Sequence, residues 1–152
     1  MNLLILLKEN VKQLDLSAEA LQYSIEKARL LAGKLVNEND FSFEEADIIE
    51  AYSSRIARCS DILIHKVLKT IQQYDSEIPG SIRDLLLQSE KKGLISGSSL
   101  FLELRAFRNE QAHDYLEKSL HQVLENCNRF ALPLLSEVKT VIAYCNQLPA
   151  KE

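Results

Sequence analysis

The chain has 152 residues, of which 46% are hydrophobic and 26% charged, and its formal net charge at pH 7 is −4. This length indicates one domain over residues 1–152 with a single hydrophobic core. Four glycines and three prolines provide too few turns for a many-stranded fold. The negative net charge disfavours a protein that binds nucleic acid over its whole surface.

Apolar residues at alternating steps of four and three predict a first helix over residues 3–37. Its stripe consists of Leu7, Val11, Leu14, Ala18, Leu21, Ile25, Ala28, Ala32 and Leu35. Residues 3–6 are also apolar, so we expect the first turn to lie in an interface rather than in a membrane. Residues 37–40 are predicted to form a loop.

A capping box at Ser42 and Glu45 predicts that a second helix begins there and covers residues 43–73. Its apolar stripe consists of Ile49, Tyr52, Ile56, Cys59, Leu63, Val67 and Ile71. Its other side carries Arg55, Arg58, Lys66 and Lys69. These cations are most simply a solvated face, but they would bind phosphate if the fold placed them beside the motif described below.

Ser81 and Gly93 predict the ends of a short helix over residues 82–92. A further helix should begin at Ser98 or Ser99 and carry Leu100, Leu104 and Phe107 inward.

The last helix is predicted over residues 114–147, with a kink at Pro133. Its stripe consists of Leu120, Leu124, Cys127, Ala131, Leu134, Val138, Val141 and Cys145. Long stripes and short loops together predict an all-α, up-down helical bundle of long antiparallel helices with one short extra helix.

The three cysteines, Cys59, Cys127 and Cys145, have no metal-ligand spacing, and an odd number makes a poor disulfide framework. We interpret them as buried thiols in a reducing compartment. The opening segment lacks a basic leader, and no stretch reaches the ~18 apolar residues of a membrane span. We therefore expect a cytoplasmic protein that does not bind membranes.

Residues 105–115 read Arg-Ala-Phe-Arg-Asn-Glu-Gln-Ala-His-Asp-Tyr and concentrate groups that suit a phosphodiester. Arg108 offers a fixed fork of donors for phosphate oxygens, and His113 can move a proton near neutral pH. On a regular helix Asn109 and His113 share a face, whereas Arg108 and His113 diverge by roughly 140°. The spacing therefore requires either a helix break near residues 109–112 or convergence of the two groups from different subunits.

The arrangement Arg-x4-His-x-Tyr, with Asn109 directly after Arg108, resembles the signature of the HEPN superfamily. Within it, the chain resembles the HepT-type toxins that are paired with minimal nucleotidyltransferases. The resemblance covers roughly residues 14–147 and is best from Ser81 onward, where Gly93-Leu94-Ile95 precedes the helix that leads into the motif. It implies a HEPN-like helical fold, a homodimer and a metal-independent endoribonuclease that needs no cofactor.

The resemblance also implies roles for the motif residues. His113 would act as general base or acid while the RNA 2′-hydroxyl attacks the neighbouring phosphorus, and Arg108 would stabilise the nonbridging oxygens. Asn109 would orient His113 or a phosphate oxygen. A twofold dimer would supply a second histidine. Further candidate contacts to RNA phosphates are Arg105, Arg55, Arg58 and Lys66.

The same resemblance implies a regulatory partner, a nucleotidyltransferase antitoxin that transfers AMP to Tyr115. An adenylyl group beside Arg108 and His113 would repel an RNA phosphate. The chain would then be the toxin of a type VII-like toxin–antitoxin pair.

Three other interpretations remain open. The chain could be a non-catalytic, nucleotide- or substrate-binding subunit of a nucleotidyltransferase, in which Arg108 and His113 bind an anion. It could be a helical adaptor that docks through its apolar first turn. The motif could also be a group of ordinary salt bridges with Glu103, Glu110 or Asp114.

Glu110 and His113 also have the Glu-x-x-His spacing of di-iron bundles. Such a site needs a second pair, and neither His65 nor His121 completes one, because positions 62 and 118 are Ile and Lys. We therefore expect no metal site.

Overall fold

A computed structural model describes residues 2–33, 41–114 and 119–149, with only the backbone for residues 110–114. The described residues form six α-helices: α1 (Leu3–Ala28), α2 (Phe43–Asp61), α3 (Lys69–Tyr74), α4 (Ile82–Lys91), α5 (Ser99–Asp114) and α6 (Leu120–Asn146). A 3₁₀ turn, Arg29–Leu31, follows α1, and a π-helical segment, Ile62–Leu68, joins α2 to α3 without a break. No β-strand occurs in these residues, which confirms the predicted all-α bundle.

The first helix departs from its predicted course near its end. The α-helix ends at Ala28 and the 3₁₀ turn at Leu31, whereas the sequence pattern predicts an α-helix through residue 37. Side chains three apart eclipse in 3₁₀ geometry, so Leu31 follows Ala28 into the core. Ala32, a predicted core position, is consequently exposed. Residues 34–40, with Leu35 and the predicted loop, lie outside the described residues.

The apolar first turn is only partly covered within one chain. Leu7 is buried, whereas Leu3, Leu4 and Leu6 are intermediate and Ile5 is exposed. The predicted burial of this turn in an interface stays a prediction.

The second helix confirms its predicted start and core. Ser42 and Glu45 form the capping box, with Glu45 N donating to Ser42 Oγ at 3.2 Å. All seven predicted core side chains are buried: Ile49, Tyr52, Ile56, Cys59, Leu63, Val67 and Ile71. The last four of these residues are each four positions apart. On a regular α-helix, each side chain would therefore lie about 40° further around the helix axis than the one before it. The wider π-helical turns absorb this drift and keep the stripe on the core.

The short helix α4 also confirms its predicted signals. Ser81 and Asp84 form a capping box, and Gly93 after the helix has φ +75°, which suits a residue without a Cβ. The following turn is fixed to α6, because the buried carboxylate of Glu137 accepts a hydrogen bond from Ser96 N at 3.0 Å. The Ser96 hydroxyl donates to the same carboxylate.

Side-chain contacts show how the long helices run. Asn10 of α1 donates to Thr70 at 3.1 Å, and Arg55 donates to Ser24 of α1 at 2.8 Å, so α1 is antiparallel to the second helix. Tyr52 donates to Asn128 at 3.0 Å, and Tyr74 donates to the carbonyl of Pro149. The second helix and α6 therefore run in the same direction, and α4 and α5 lie in the connection between them.

The last helix confirms most of the predicted stripe. Its described part begins at Ser119, whose side chain accepts from Gln122 N, and it contains Pro133 on the exposed side. Leu124, Cys127, Ala131, Leu134, Val138, Val141 and Cys145 are buried, and Leu120 is intermediate. In the described part of the chain, no helix combines the length and the apolar character needed to cross a membrane.

Candidate functional site

The helix α5 carries the motif and is continuous through it. Its backbone is helical from Ser99 to Asp114, so the described chain has no break at residues 109–112. On this helix position 113 lies roughly 140° around the axis from Arg108. This excludes the predicted helix break within the described backbone, and convergence between subunits stays a prediction. The side chain of His113 and the whole of Tyr115 lie outside the described residues.

Arg108 is joined to the second helix by an ion pair. Its Nη1 lies 2.5 Å from Oδ1 of Asp61, and the two side chains are 53% and 34% exposed. Phe107, one residue earlier, is buried and packs with its ring centroid 5.4 Å from that of Phe130. The aromatic anchor and the ion pair together fix the side of α5 from which the guanidinium extends.

Sequence reasoning did not find Asp61. Its one signal in the sequence is that Asp61 is the single acidic residue between the two cations Arg58 and Lys66. The partners suggested for Arg108 included Glu103, but Glu103 pairs with Arg129 of α6 at 2.8 Å. The side chains of Glu110 and Asp114 lie outside the described residues.

A groove separates α5 from the first turns of α6, directly beside the motif. Its volume is about 320 Å³, and its lining residues are Glu103, Ala106, Phe107, Gln122, Asn126, Arg129 and Phe130. The guanidinium of Arg129 lies 4.6 Å from the centroid of the Phe130 ring. The groove thus combines an aromatic floor with two amides, a cation and a carboxylate at its rim.

The four additional phosphate-binding candidates divide into two groups. Arg105 is exposed on α5, as is Asn109. Arg55 donates to Ser24 at 2.8 Å, and Lys66 donates to Gln13 at 2.7 Å, so both contact α1. Arg58 is exposed on α2, one turn before Asp61. Of the three candidates on the second helix, it is therefore the closest in sequence to the partner of Arg108.

The other two histidines differ in their surroundings, and among the described residues Nδ1 of His121 is buried without a hydrogen-bond partner. His65 is exposed, and His121 lies 3.4 Å from the carboxylate of Glu125. In the part of the chain that the structure describes, no cluster of three or more His, Cys, Asp or Glu side chains could hold a metal ion.

All three cysteines are buried free thiols, as predicted. Burial raises the pKa of Cys127 and of Cys145 to about 12. Burial also raises the pKa of Cys59, and a hydrogen bond with Ser17 opposes this shift. None of the three is therefore suited to act as a nucleophile near neutral pH.

Comparison with protein-family models, with curated proteins and with solved structures found no match to this chain. The fold and the site define the class of protein. It is an all-helical protein in which a half-exposed arginine on a continuous helix pairs with an aspartate, one residue after a phenylalanine that lines a groove.

Proposed function

We propose that this protein is a metal-independent endoribonuclease, the toxin of a toxin–antitoxin pair whose antitoxin is a nucleotidyltransferase. The observation that carries the proposal is the continuous helix α5. Arg108 is exposed on this helix, and position 113 lies roughly 140° around the helix axis from it. One RNA phosphate is then bound by Arg108 of one subunit and by His113 of the other.

Arg108 is the electrostatic element of this site. A guanidinium has five N–H donors, and the bond to Asp61 uses one of them. The remaining donors can bind a phosphate while Asp61 holds the group in place. As the 2′-hydroxyl attacks, negative charge grows on the nonbridging oxygens, and a pre-positioned cation stabilises it.

His113 supplies proton transfer. In-line cleavage removes a proton from the 2′-hydroxyl and gives one to the leaving 5′-oxygen, so it uses a base and an acid. At each shared site of a homodimer, the one His113 can accept the first proton as base and return it as acid to the leaving oxygen. Asn109 lies four residues earlier, on the same side of the helix, where it can orient the imidazole or a phosphate oxygen.

The RNA chain approaches along α5. Arg105 is the first candidate for an additional phosphate contact, because it is exposed on the helix that carries Arg108. Arg58 is the second, one turn before Asp61. Arg55 and Lys66 each already use one donor in a contact with α1, so we place them last.

Regulation acts on Tyr115, two residues after His113. The antitoxin transfers AMP from ATP to the phenol oxygen, which loses its proton as pyrophosphate leaves, and the added phosphate excludes the RNA phosphate by repulsion. Intact mass measurement of the protein co-expressed with its partner should show one adenylyl group, and Tyr115→Phe should lack it. An unmodified wild-type protein that is nevertheless non-toxic with its partner would contradict this mode of control.

A non-catalytic role is the second candidate, and the groove between α5 and α6 favours it. Its volume of about 320 Å³ falls in the range of small-molecule sites. Gln122, Asn126 and Arg129 can recognise a nucleotide base and its phosphate. The chain would then bind a nucleotide for the nucleotidyltransferase without cleaving RNA.

Cleavage assays with three variants separate the two functions. If the protein is a nuclease, Arg108→Ala and His113→Ala abolish RNA cleavage and cell toxicity, while Arg129→Ala keeps both. If it is a binding subunit, wild type cleaves nothing, and Arg129→Ala weakens nucleotide binding in a titration. Absence of cleavage and toxicity in the wild type would overturn the nuclease proposal.

A further inference from the structure

A groove between α1 and the second helix is lined in part by aliphatic side chains. Its volume is about 370 Å³, and Leu16, Ala20 and Ile62 contribute to its lining. Leu16 is 57% exposed although it is a large apolar residue. Together with its two aliphatic neighbours, it offers an apolar surface that a side chain of a partner can cover.

Three cations surround these aliphatic side chains. Arg55 and Arg58 line the same groove as Leu16. Lys66 reaches the groove through Gln13, another lining residue, to which it donates a hydrogen bond at 2.7 Å. We call the surface formed by the three cations with Leu16, Ala20 and Ile62 the basic groove.

The three cations have no carboxylate partner among the described residues. Arg55 donates to a serine hydroxyl and Lys66 to an amide oxygen, both of which are uncharged. The one acidic residue between Arg58 and Lys66, Asp61, is paired with Arg108. The basic groove is therefore a local excess of positive charge in a chain whose net charge is −4, and it should attract a negatively charged partner.

The extent of the basic groove sets the size of that partner. Beyond Arg55, a neighbouring groove has two carboxylates, of Glu44 and Asp47, and one ammonium group, of Lys27. The uncompensated cations thus extend from Arg55 to Lys66, a distance of roughly 16 Å along the helix at 1.5 Å per residue. An extended chain advances about 3.3 Å per residue, so about five residues of a partner cover this length.

The lining of the basic groove favours a peptide over RNA. Single-stranded RNA binds by stacking its bases on aromatic rings as well as through its phosphates. Among the described residues, no aromatic side chain lines the basic groove. The adjacent Tyr23 ring already has cations near it, because Lys27 Nζ lies 5.6 Å and Arg55 Cζ 5.5 Å from its centroid. An aliphatic side chain between carboxylates matches both the apolar surface and the cations.

We propose that the basic groove binds an acidic peptide segment of a partner protein. A central apolar side chain of the segment contacts Leu16 and Ile62, and carboxylates on both sides of it pair with the cations, for which a guanidinium offers two parallel donors. The inference does not rest on the proposed nuclease, since its readout is peptide binding. Arg58 is also a candidate contact for RNA, so a bound segment would keep that cation from RNA.

A short synthetic peptide tests the proposal on the full chain. The probe carries fluorescein and has one leucine with two glutamates on each side. Its anisotropy should show saturable binding that weakens as salt is added, because the charge pairs are exposed. Two control peptides, with glycine for the leucine or glutamine for the glutamates, should bind more weakly. Absence of saturable binding of the leucine peptide would overturn the proposal.

Arg58→Glu and Arg83→Glu are matched variants for this titration. Both arginines are exposed, one in the basic groove and one on α4, and the two substitutions change the net charge equally. Arg58→Glu should raise the dissociation constant of the leucine peptide by about tenfold or more. Arg83→Glu should change it by about twofold or less. Equal weakening by both variants would show that only net charge attracts the peptide, and would overturn the proposal.

Leu16→Ala separates the apolar contact from the charge pairs. It truncates an exposed side chain, so the fold should be kept, as circular dichroism can verify. The leucine peptide should bind about threefold more weakly to this variant, and the glycine peptide should be unaffected. An equal effect on both peptides would contradict the proposed apolar contact.

An oligouridylate tests the RNA alternative in the same assay. Tighter binding of the oligouridylate than of the leucine peptide, with loss of that binding in Arg58→Glu, would assign the basic groove to RNA and overturn the proposal. Loss of RNA cleavage with peptide binding intact would affect only the proposed function.

Discussion

Arg108 of α5 and Asp61, the last residue of α2, form an ion pair with Nη1 and Oδ1 2.5 Å apart. The two residues are 47 positions apart in the sequence, so their pairing fixes the motif helix to the second helix. It decides which way the guanidinium points.

Removal of Asp61 should affect cleavage more than stability. The pair is about half exposed, so Asp61→Ala should lower the free energy of unfolding by less than about 1 kcal/mol. The guanidinium loses its orienting partner, and RNA cleavage should fall about tenfold. Urea denaturation and a cleavage assay measure the two effects.

Glu103→Ala is the matched control for Asp61→Ala. It breaks the exposed pair with Arg129, so it should have a similar effect on stability and leave cleavage unchanged. Faster cleavage by Asp61→Ala would show that the carboxylate competes with the RNA phosphate instead of positioning Arg108.

The buried carboxylate of Glu137 should contribute to stability through Ser96. Glu137→Ala leaves the Ser96 amide and hydroxyl without this acceptor and should lower the free energy of unfolding by about 1–3 kcal/mol. Glu137→Gln keeps one acceptor oxygen and should cost less. Ser136→Ala, at an exposed position of the same helix, is the control in the same denaturation series, and an equal loss from it would rule out a specific role for the Glu137–Ser96 contact.

The thiols should be unreactive while the protein is folded. Burial raises the pKa of Cys127 and of Cys145 to about 12, so at pH 8 both are protonated and covered. A disulfide reagent should label none of the three cysteines quickly in buffer and all three in denaturant. Rapid labelling of the native protein would show that one of these thiols is accessible.

The cap of α4 should be a measurable element of stability. Ser81 Oγ accepts from Asp84 N at 3.1 Å, and Asp84 Oδ2 accepts from Ser81 N at 3.0 Å. Ser81→Ala removes the first of these bonds and should cost about 1 kcal/mol, measured as a lower urea midpoint. Ser81→Asp keeps an N-cap acceptor, so it should lose clearly less, and an equal loss from both would exclude capping as the cause.

The helices were predictable because their signals are local. Stripes at steps of three and four identified the cores of the second and last helices, and serine caps identified where α2 and α4 begin. The change to 3₁₀ geometry after Ala28 and the π-helical turns after Asp61 were not predictable, because both depend on how side chains pack between helices.

The candidate site was predictable only in part. The sequence spacing of Arg108 and position 113 predicts the angle between them on a regular helix. That the helix is continuous there could be established only from the structure. The Asp61 partner and the groove beside Phe107 arise from contacts between distant segments. A local sequence pattern carries no information about such contacts.

The central claim is that Arg108 of one subunit acts with His113 of the other, and mixing two inactive variants tests it most directly. Arg108→Ala and His113→Ala are each purified and shown to be inactive, then combined in equal amounts and allowed to exchange subunits. A mixed dimer with sites shared between subunits has one intact site, so random exchange should restore about a quarter of the wild-type RNA cleavage. A mixture that exchanges subunits and stays inactive would contradict the account.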